Sequence, residues 1–424
     1  MAEIKPFRGV RYDQSIVGDL SKVVCPPYDV ISPQDRVYYH NLHPNNYVRL
    51  VLGEEYENDT EENNRFTRAR AYLDRWLSDG VLKQDPVSAI YVYEQTFQYA
   101  GEKRSVLGFT CAVKLYDYSA RVILPHENTL AKPKSDLIRL IRAVRTNLDC
   151  VYGLYADEQR TVDSLLHRTT LQEPVAAAVD KDGVRHRLWT LTDESAIRKI
   201  VETLAPCQIA IADGHHRYET ALAYRSECRQ GKSESDVLPC DYVLMTLVNV
   251  YQKDLTVFPT HRVIKGLADE DLKQLNARLP ELFDIQTSTP ETLLQDMRAR
   301  GAIGMFSPQG AFTLKSKPQS HDLIPGSEAS RRLELNLLHK LILERILGID
   351  EEKLRHETHV LYTRDPKEAV ELVCCGRGQV AFLLNHIDVR SVLEIAAAGE
   401  RMPQKATYFY PKLLSGLVAR LHTN

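Results

Sequence analysis

The segment around residues 207–225 constrains the fold of this 424-residue chain more than any other. Residues 209–212, Ile-Ala-Ile-Ala, form a short and wholly apolar run, which is typical of a buried strand. Asp213-Gly214 ends the run. A helix is predicted from near His216, because Tyr218, Ala221, Leu222 and Arg225 follow at the helical spacing i, i+3, i+4 and i+7. A buried strand that bends directly into a helix indicates an α/β (mixed α+β) protein.

The remaining segments predict further elements of both kinds. Alternating or continuous apolar residues predict strands at 89–98, 105–116, 241–251 and 371–384. Helical spacing predicts helices at 61–79, from about 135, and at 331–347, and Ser32-Pro33 predicts another helix start. Cys374-Cys375 are interpreted as buried strand residues, and Gly376-Arg377-Gly378 as a hairpin turn between strands. We divide the chain into an N-terminal mixed α/β region (1–120), a central region (121–250) and a C-terminal α/β region (251–424).

Composition restricts the partners. The chain has 54 basic and 57 acidic residues, a net charge of −3, which disfavours nucleic-acid and anionic-membrane binding. No window is apolar enough for a transmembrane helix, and the first residues lack the apolar segment of a secretory signal. The eight cysteines are scattered and none forms a CxxC pair, which is typical of free thiols in a reducing compartment. We therefore expect a cytoplasmic protein with a small-molecule substrate.

The bend itself, Asp213-Gly214-His215-His216-Arg217, has the composition of an anion site. The first N–H groups of a helix point outward at the positive end of its dipole, and they attract phosphates. Glycine lets a ligand approach the backbone, and an arginine fork matches phosphate oxygens. The alternative is a structural turn in which the aspartate caps the helix and the histidines are solvated or packed.

Three other segments contain candidate residues. Glu127, in the loop Pro125-His126-Glu127, becomes a candidate general base only if the fold brings it to the bend. The basic and aromatic stretch 402–412, with Lys405, reads either as a loop that reaches a site or as a strand edge with aromatic packing. Residues 25–29 either aim Tyr28 and Asp29 into a cleft or form a structural turn. No metal site is predicted, because residues 356–359 do not have the spacing of HExxH.

Six segments in order along the chain resemble a known family: PFRGVRY, CPPYDVIS, LPHENTLAKPKSDLIRLIRA, IADGHHRYETALAYR, TLVNVYQKDLTVFPTHRV and MPQKATYFYPKL. They are similar to the bacterial and archaeal proteins grouped as domain of unknown function 1015. Within them, ADGHHRYETAL resembles the nucleotide-contacting motif of the ParB/sulfiredoxin superfamily. That superfamily includes free serine kinases, which phosphorylate the hydroxyl of serine with ADP or ATP. The sulfiredoxin cysteine has no counterpart, since position 215 is His.

The resemblance implies a ParB/sulfiredoxin-like nucleotide-binding core within a larger mixed-sheet protein. It implies a phosphotransferase that acts on the hydroxyl of a small metabolite, an amino acid such as serine, with ATP or ADP as cofactor. Glu127 would be the base, and Asp213 would orient the acceptor or a magnesium ion. The implied nucleotide-binding and charge-neutralising residues are Gly214, His215, His216, Arg217, His126, Lys134, Arg139 and Lys405, with His216 also counted as catalytic.

Two other functions use the same site. A nucleotide-sensing regulator would bind the nucleotide at this site without catalysing phosphoryl transfer. A phosphatase or other hydrolase would use His216 and Glu127 to activate water instead of an alcohol. The sequence leaves a homodimer open and does not choose between ADP and ATP.

Overall fold

A computed structural model describes residues 1–422 with the exception of 100, 128–130, 234, 357 and 404. Its internal contacts divide the chain into two units. The first unit comprises Met1–Pro125, Thr129–Leu255 and Pro411–Asn424, and the second comprises His126–Asn128 and Thr256–Tyr410. The predicted regions 1–120 and 121–250 thus fall almost wholly in one unit, to which the end of the chain returns. The division into three regions stays a prediction.

The strands of the first and second units share one numbering along the chain. They are β1 Ile4–Lys5, β2 Val10–Tyr12, β3 Leu82–Gln84, β4 Ile90–Tyr99, β5 Glu102–Lys114, β6 Ile123–Leu124, β7 Thr146–Asn147, β8 Val151–Tyr155, β9 Ala176–Val179, β10 Arg185–Leu191, β11 Ile209–Asp213, β12 Tyr242–Asn249, β13 Thr256–Phe258, β14 His261–Ile264, β15 Phe283–Ser288, β16 Ile303–Ser307, β17 Gly310–Ser316, β18 Val360–Thr363, β19 Val380–Leu383, β20 Tyr408–Tyr410 and β21 Arg420–Leu421.

The helices are numbered in the same way. They are α1 Gln14–Val17, α2 Pro33–Leu42, α3 Val48–Val51, α4 Arg65–Ser78, α5 Ala131–Val144, α6 Thr161–Thr169, α7 Glu194–Leu204, α8 His215–Cys228, α9 Asp269–Leu282, α10 Leu293–Arg300, α11 Pro318–His321, α12 Glu328–Arg332, α13 Glu334–Asn336, α14 Glu351–Arg355, α15 Pro366–Cys374 and α16 Val389–Ala397. A π-helix, Leu337–Ile346, follows α13. Within the described residues, no helix combines the length and apolarity that a membrane span requires.

One large mixed sheet forms the centre of the first unit. Its strand order is β6-β11-β8-β12-β5-β4-β10-β9, with β1 added beside β5. Strand β11 is parallel to β6 and antiparallel to β8, and its register with β8 shifts between Ile211 and Asp213. All four apolar residues of β11 are buried, as predicted for residues 209–212. The sheet confirms the expected mixed α/β class. Asp213 is the last residue of β11.

The second unit contains a smaller sheet in the order β15-β17-β16-β19-β14-β18. Strands β13 and β20 form a separate antiparallel pair. Helices α10 and α15 pack on this sheet through a cluster of buried apolar residues: Leu293, Met297, Ala369, Leu372 and Val373.

Local sequence signals account for most element boundaries. The predicted start at Ser32-Pro33 is confirmed, because Ser32 caps α2 and Asp35 completes a capping box. The strands predicted at 89–98 and 105–116 are the antiparallel pair β4 and β5. The helix predicted at 331–347 is present as α13 and the π-helix.

One prediction is wrong. The stretch 371–384 is not all strand, since α15 runs to Cys374 and β19 begins only at Val380. Cys374 and Cys375 are therefore exposed at a helix end and are not buried strand residues. The glycine turn after them joins a helix to a strand. Asp365-Pro366 gave the signal that should have decided this, because it is an N-cap followed by proline at the first helical position.

Candidate functional site

The bend between β11 and α8 is built around a glycine that cannot be replaced without cost. Gly214 is the N-cap of the 14-residue helix α8 and has φ 88°, a left-handed conformation that favours glycine. A Cβ at this position would lie 2.8 Å from Nε of Arg217. The chain therefore turns sharply from the sheet into the helix, with the guanidinium group packed directly against the turn.

Asp213 does not cap the helix, as the structural alternative required. The N-cap residue of α8 is Gly214, which has no side chain, and the Asp213 carboxylate accepts a hydrogen bond from Lys412 Nζ at 3.2 Å. Nη2 of Arg217 lies 3.4 Å from the same oxygen. Burial alone would raise the pKa of Asp213, but Lys412 and Arg217 lower it to about 2. Asp213 is therefore a fixed anion at the end of β11.

Arg217 is held by more than one acidic group. Its side chain is only 9% exposed, and Nη1 donates to the backbone carbonyl of Cys150. Burial opposes its charge, yet the carboxylates of Asp213, Asp29 and Asp149 together raise the pKa of Arg217 above its ordinary value. The guanidinium group is thus the centre of a buried charge cluster, here defined as Asp29, Asp149, Asp213, Arg217 and Lys412.

The pKa values of the two remaining acids of the buried charge cluster are raised, whereas that of Asp213 is lowered. Burial raises the pKa of Asp29, and the negative charge of Asp213 raises it further. Burial also raises the pKa of Asp149, against the attraction of Arg217. Each carboxylate shares its cations with another acid. The cluster therefore contains three acidic groups and only two basic ones.

The two histidines of the bend occupy different environments. His215 is buried and its charge interacts with Asp213. His216 is half-buried, and burial lowers its pKa, so the neutral ring is favoured near neutral pH. Next to it, Lys134 of α5 forms an ion pair with Glu219 of α8. The first unit therefore brings Lys134, His215, His216 and Arg217 of the predicted set to one end of α8.

Residues 4–337 match the family described as protein of unknown function (DUF1015). The chain belongs to this family. No curated protein matches it.

Several solved structures resemble this DUF1015 protein at low similarity. A free serine kinase in complex with AMP has 13% identity and a TM-score of 0.35, over 68% of this chain and 83% of that one. SbnI with a C-terminal truncation from Staphylococcus aureus has 11% identity and a TM-score of 0.36, over 72% and 85%. A conserved hypothetical protein from Pyrococcus furiosus has 12% identity and a TM-score of 0.34, over 69% and 89%. Similarity at this level assigns no residue role in this chain.

Three further predicted residues, His126, Glu127 and Lys405, lie in the second unit of the DUF1015 protein, whereas Arg139 lies in the first. Glu127 accepts a hydrogen bond from the backbone N–H of Lys405 at 3.0 Å. His126 is buried, and its Nε2 shares a hydrogen bond with Thr407 Oγ1 at 2.9 Å. Nζ of Lys405 lies 4.5 Å from the ring centre of Tyr362. The role of Glu127 as a base for chemistry at the bend stays a prediction.

The segment 402–412 contains the strand edge with aromatic packing that one interpretation predicted, and the interpretation as a loop that reaches a site stays a prediction. Residues Tyr408–Tyr410 form strand β20, and Tyr410 packs 4.9 Å from Phe258 on the paired strand, as expected of a strand edge with aromatic packing. Two residues beyond the strand, Lys412 binds Asp213. Lys412 belongs to the predicted basic and aromatic stretch, but the sequence pointed to Lys405 as the functional lysine.

Sequence reasoning also missed Asp149. This residue lies two positions before the buried strand β8, which lies beside β11 in the sheet. An acidic residue at the entrance to a wholly buried strand is a signal that could have been used, since an unpaired charge is costly there. Tyr28 and Asp29, which were left open, interact electrostatically with Arg217 and Asp213.

The predicted absence of a metal site stays a prediction. Across the residues that the structure describes, no group of three or more His, Cys, Asp or Glu side chains is arranged to hold a metal ion.

Proposed function

We propose that this DUF1015 protein binds ADP or ATP at the Asp213–Arg217 bend and transfers a phosphoryl group to the hydroxyl of a small metabolite such as serine. The observation that carries the proposal is the left-handed Gly214 between a buried strand and the 14-residue helix α8. This arrangement presents the positive end of a helix dipole to an anion. The likeness of ADGHHRYETAL to a nucleotide-contacting motif supports the same assignment.

The contacts of Arg217 refine its part in the proposal. Its guanidinium group is buried and already bonded to Cys150 and Asp213. Arg217 therefore acts mainly as a positioning residue that keeps the bend in shape, while the phosphates contact the start of α8. His216 and Lys134, which are more exposed than Arg217, supply hydrogen bonds and positive charge to the phosphates.

The proposed transfer forms one bond and breaks one. The acceptor oxygen bonds to the terminal phosphorus, the bond from that phosphorus to the nucleotide oxygen breaks, and the hydroxyl proton passes to Glu127. Asp213, fixed as an anion by Lys412, orients the acceptor or a magnesium ion, for which carboxylate oxygens are suitable ligands. Phosphoryl transfer depends mainly on positioning and charge neutralisation, which these residues can supply.

The test is to incubate the full chain with ADP or ATP, magnesium and a panel of amino acids, and to follow phosphorylated products by 31P NMR. Glu127→Gln should bind nucleotide normally but lower the rate at least ~100-fold, because it removes the base. The exposed Glu158, changed to Gln, is the matched control and should keep the wild-type rate.

Three results would oppose the proposal. Nucleotide-dependent stabilisation without any product would favour a regulator, and phosphate release without an acceptor would favour a hydrolase. If the wild-type chain bound no nucleotide, the proposed nucleotide site at the bend would be wrong.

A further inference from the structure

The second unit contains a cavity that the proposed phosphotransfer site does not use. Its volume is about 440 Å³, enough for a small metabolite. Helices α12 and α16 contribute to its lining, together with α13 and the residues that follow β19. The charged and polar side chains of this lining are Glu328, Arg332, Glu334, Asn385, His386, Asp388, Ser391 and Glu394.

Glu334 is the most deeply buried carboxylate of the cavity. Its Oε2 accepts the backbone N–H of Asn385 at 2.9 Å, and Oε1 accepts Nδ2 of the same residue at 2.7 Å. Among the described residues, no Lys, Arg or His forms an ion pair with it. Burial raises the pKa of Glu334 more than these hydrogen bonds lower it. Burying a carboxylate without a cation costs free energy, so a cationic ligand that bound next to Glu334 would be stabilised.

Asn385 adds a second acceptor to the same place. Its Nδ2 donates to Glu334 and to the carbonyl of Ala302 at 3.0 Å. Because both of these partners are acceptors, the amide cannot be flipped without losing both bonds. Its Oδ1 is then buried with no hydrogen-bond partner in the described part of the chain. This oxygen can only be satisfied by a donor.

The other charged groups do not supply that donor. Arg332 pairs with Glu328 in an exposed i,i+4 bridge, and Asp388 pairs with Arg390. The His386 ring uses Nδ1 toward the carbonyl of Val257 at 3.1 Å, so Nδ1 carries the proton there. The cavity therefore offers acceptors and excess negative charge.

We propose that this cavity binds a small molecule through a primary ammonium group, which would pair with the carboxylate of Glu334 and donate to Oδ1 of Asn385. An ammonium group has three donors and a positive charge, so it can satisfy both acceptors at once. The site is independent of the Asp213 bend, and either proposal can fail without the other.

The test uses putrescine as the probe and the full-length chain. Saturation-transfer NMR should detect millimolar putrescine, while 1,4-butanediol, which has the same shape without the charge, should give at least a ~10-fold weaker response. Glu334→Gln should weaken putrescine binding at least ~10-fold. The matched control is Glu394→Gln, which removes one charge from an exposed residue of the same lining and should change binding less than ~3-fold.

Any of three outcomes would overturn the proposal. These are no detectable putrescine binding, an equal response from the diol, and equal losses in the two Glu→Gln variants. The comparison of the two probes needs only the wild-type chain, so it decides the matter even if a variant folds poorly. Phosphotransfer activity in the same samples is measured separately and is not expected to follow these results.

Discussion

Asp213 in the first unit and Glu334 in the second are both largely buried carboxylates, yet their pKa values move in opposite directions. Lys412 and Arg217 lower the pKa of Asp213 to about 2, against the effect of burial. Glu334 has only N–H donors from Asn385, and burial raises its pKa. The comparison shows that burial alone does not set the charge of an acid. The partners that the fold provides decide it.

The largest expected effect comes from removing the central cation of the buried charge cluster. Arg217→Met should lower the free energy of unfolding by about 3–5 kcal/mol, because it leaves buried acids without their partner. Urea unfolding measures this loss. Adding Asp213→Asn to the variant should recover part of it, since the uncompensated charge is then gone.

Arg142→Met is the matched control for that change. Arg142 pairs with Glu227 while 53% of its side chain is exposed, so its removal should cost less than about 1 kcal/mol. Equal losses at Arg217 and Arg142 would contradict the assignment of a buried charge cluster.

The next effect tests the packing of Arg217 against the bend. Gly214→Ala and Gly183→Ala both place a side chain at positive φ, 88° and 79°. A Cβ on Gly183 meets no atom within 4 Å, so this variant should lose only about 1–2 kcal/mol from backbone strain. Gly214→Ala should lose about 1 kcal/mol or more beyond that, because its Cβ meets Arg217. Thermal unfolding of both variants compares them, and equal losses would mean that the contact is unimportant.

The third effect is a loss of folding stability at low pH. Because the pKa of Asp213 is lower in the folded chain than its usual 3.8, its charge stabilises the fold above that value. This contribution, about 2 kcal/mol, should be lost as the pH falls from about 5 toward 2. The difference in unfolding free energy between wild type and Asp213→Asn should shrink over that range. A constant difference would show that Asp213 is not held as an anion.

The smallest effect is expected at Glu334 and has the opposite sign. Its raised pKa means that the folded chain favours the protonated acid, so stability is lost as the pH rises through the folded pKa. Glu334→Gln should therefore be neutral at low pH and stabilising, by less than about 1 kcal/mol, at higher pH. Urea midpoints measured from acidic to mildly alkaline pH check this, and a destabilised variant at high pH would indicate a cation partner for Glu334.

Prediction from sequence succeeded where the signals are local. The Ser32-Pro33 helix start and the strand at 209–212 followed from residues within a few positions of each other. It failed at Cys374-Cys375, where a short apolar run was assigned to a strand although it ends a helix. Helices and buried strands share such runs, and only the flanking cap residues separate them.

The sequence by itself determined the bend, because an apolar run, a glycine that tolerates positive φ and a helical repeat act through neighbouring residues. Only the tertiary structure decided which charges meet there. Lys412 lies 199 positions from Asp213, and Asp149 approaches Arg217 because β8 lies beside β11. No periodicity encodes such pairings, since they arise from strand order and from the path of the chain end back to the first unit.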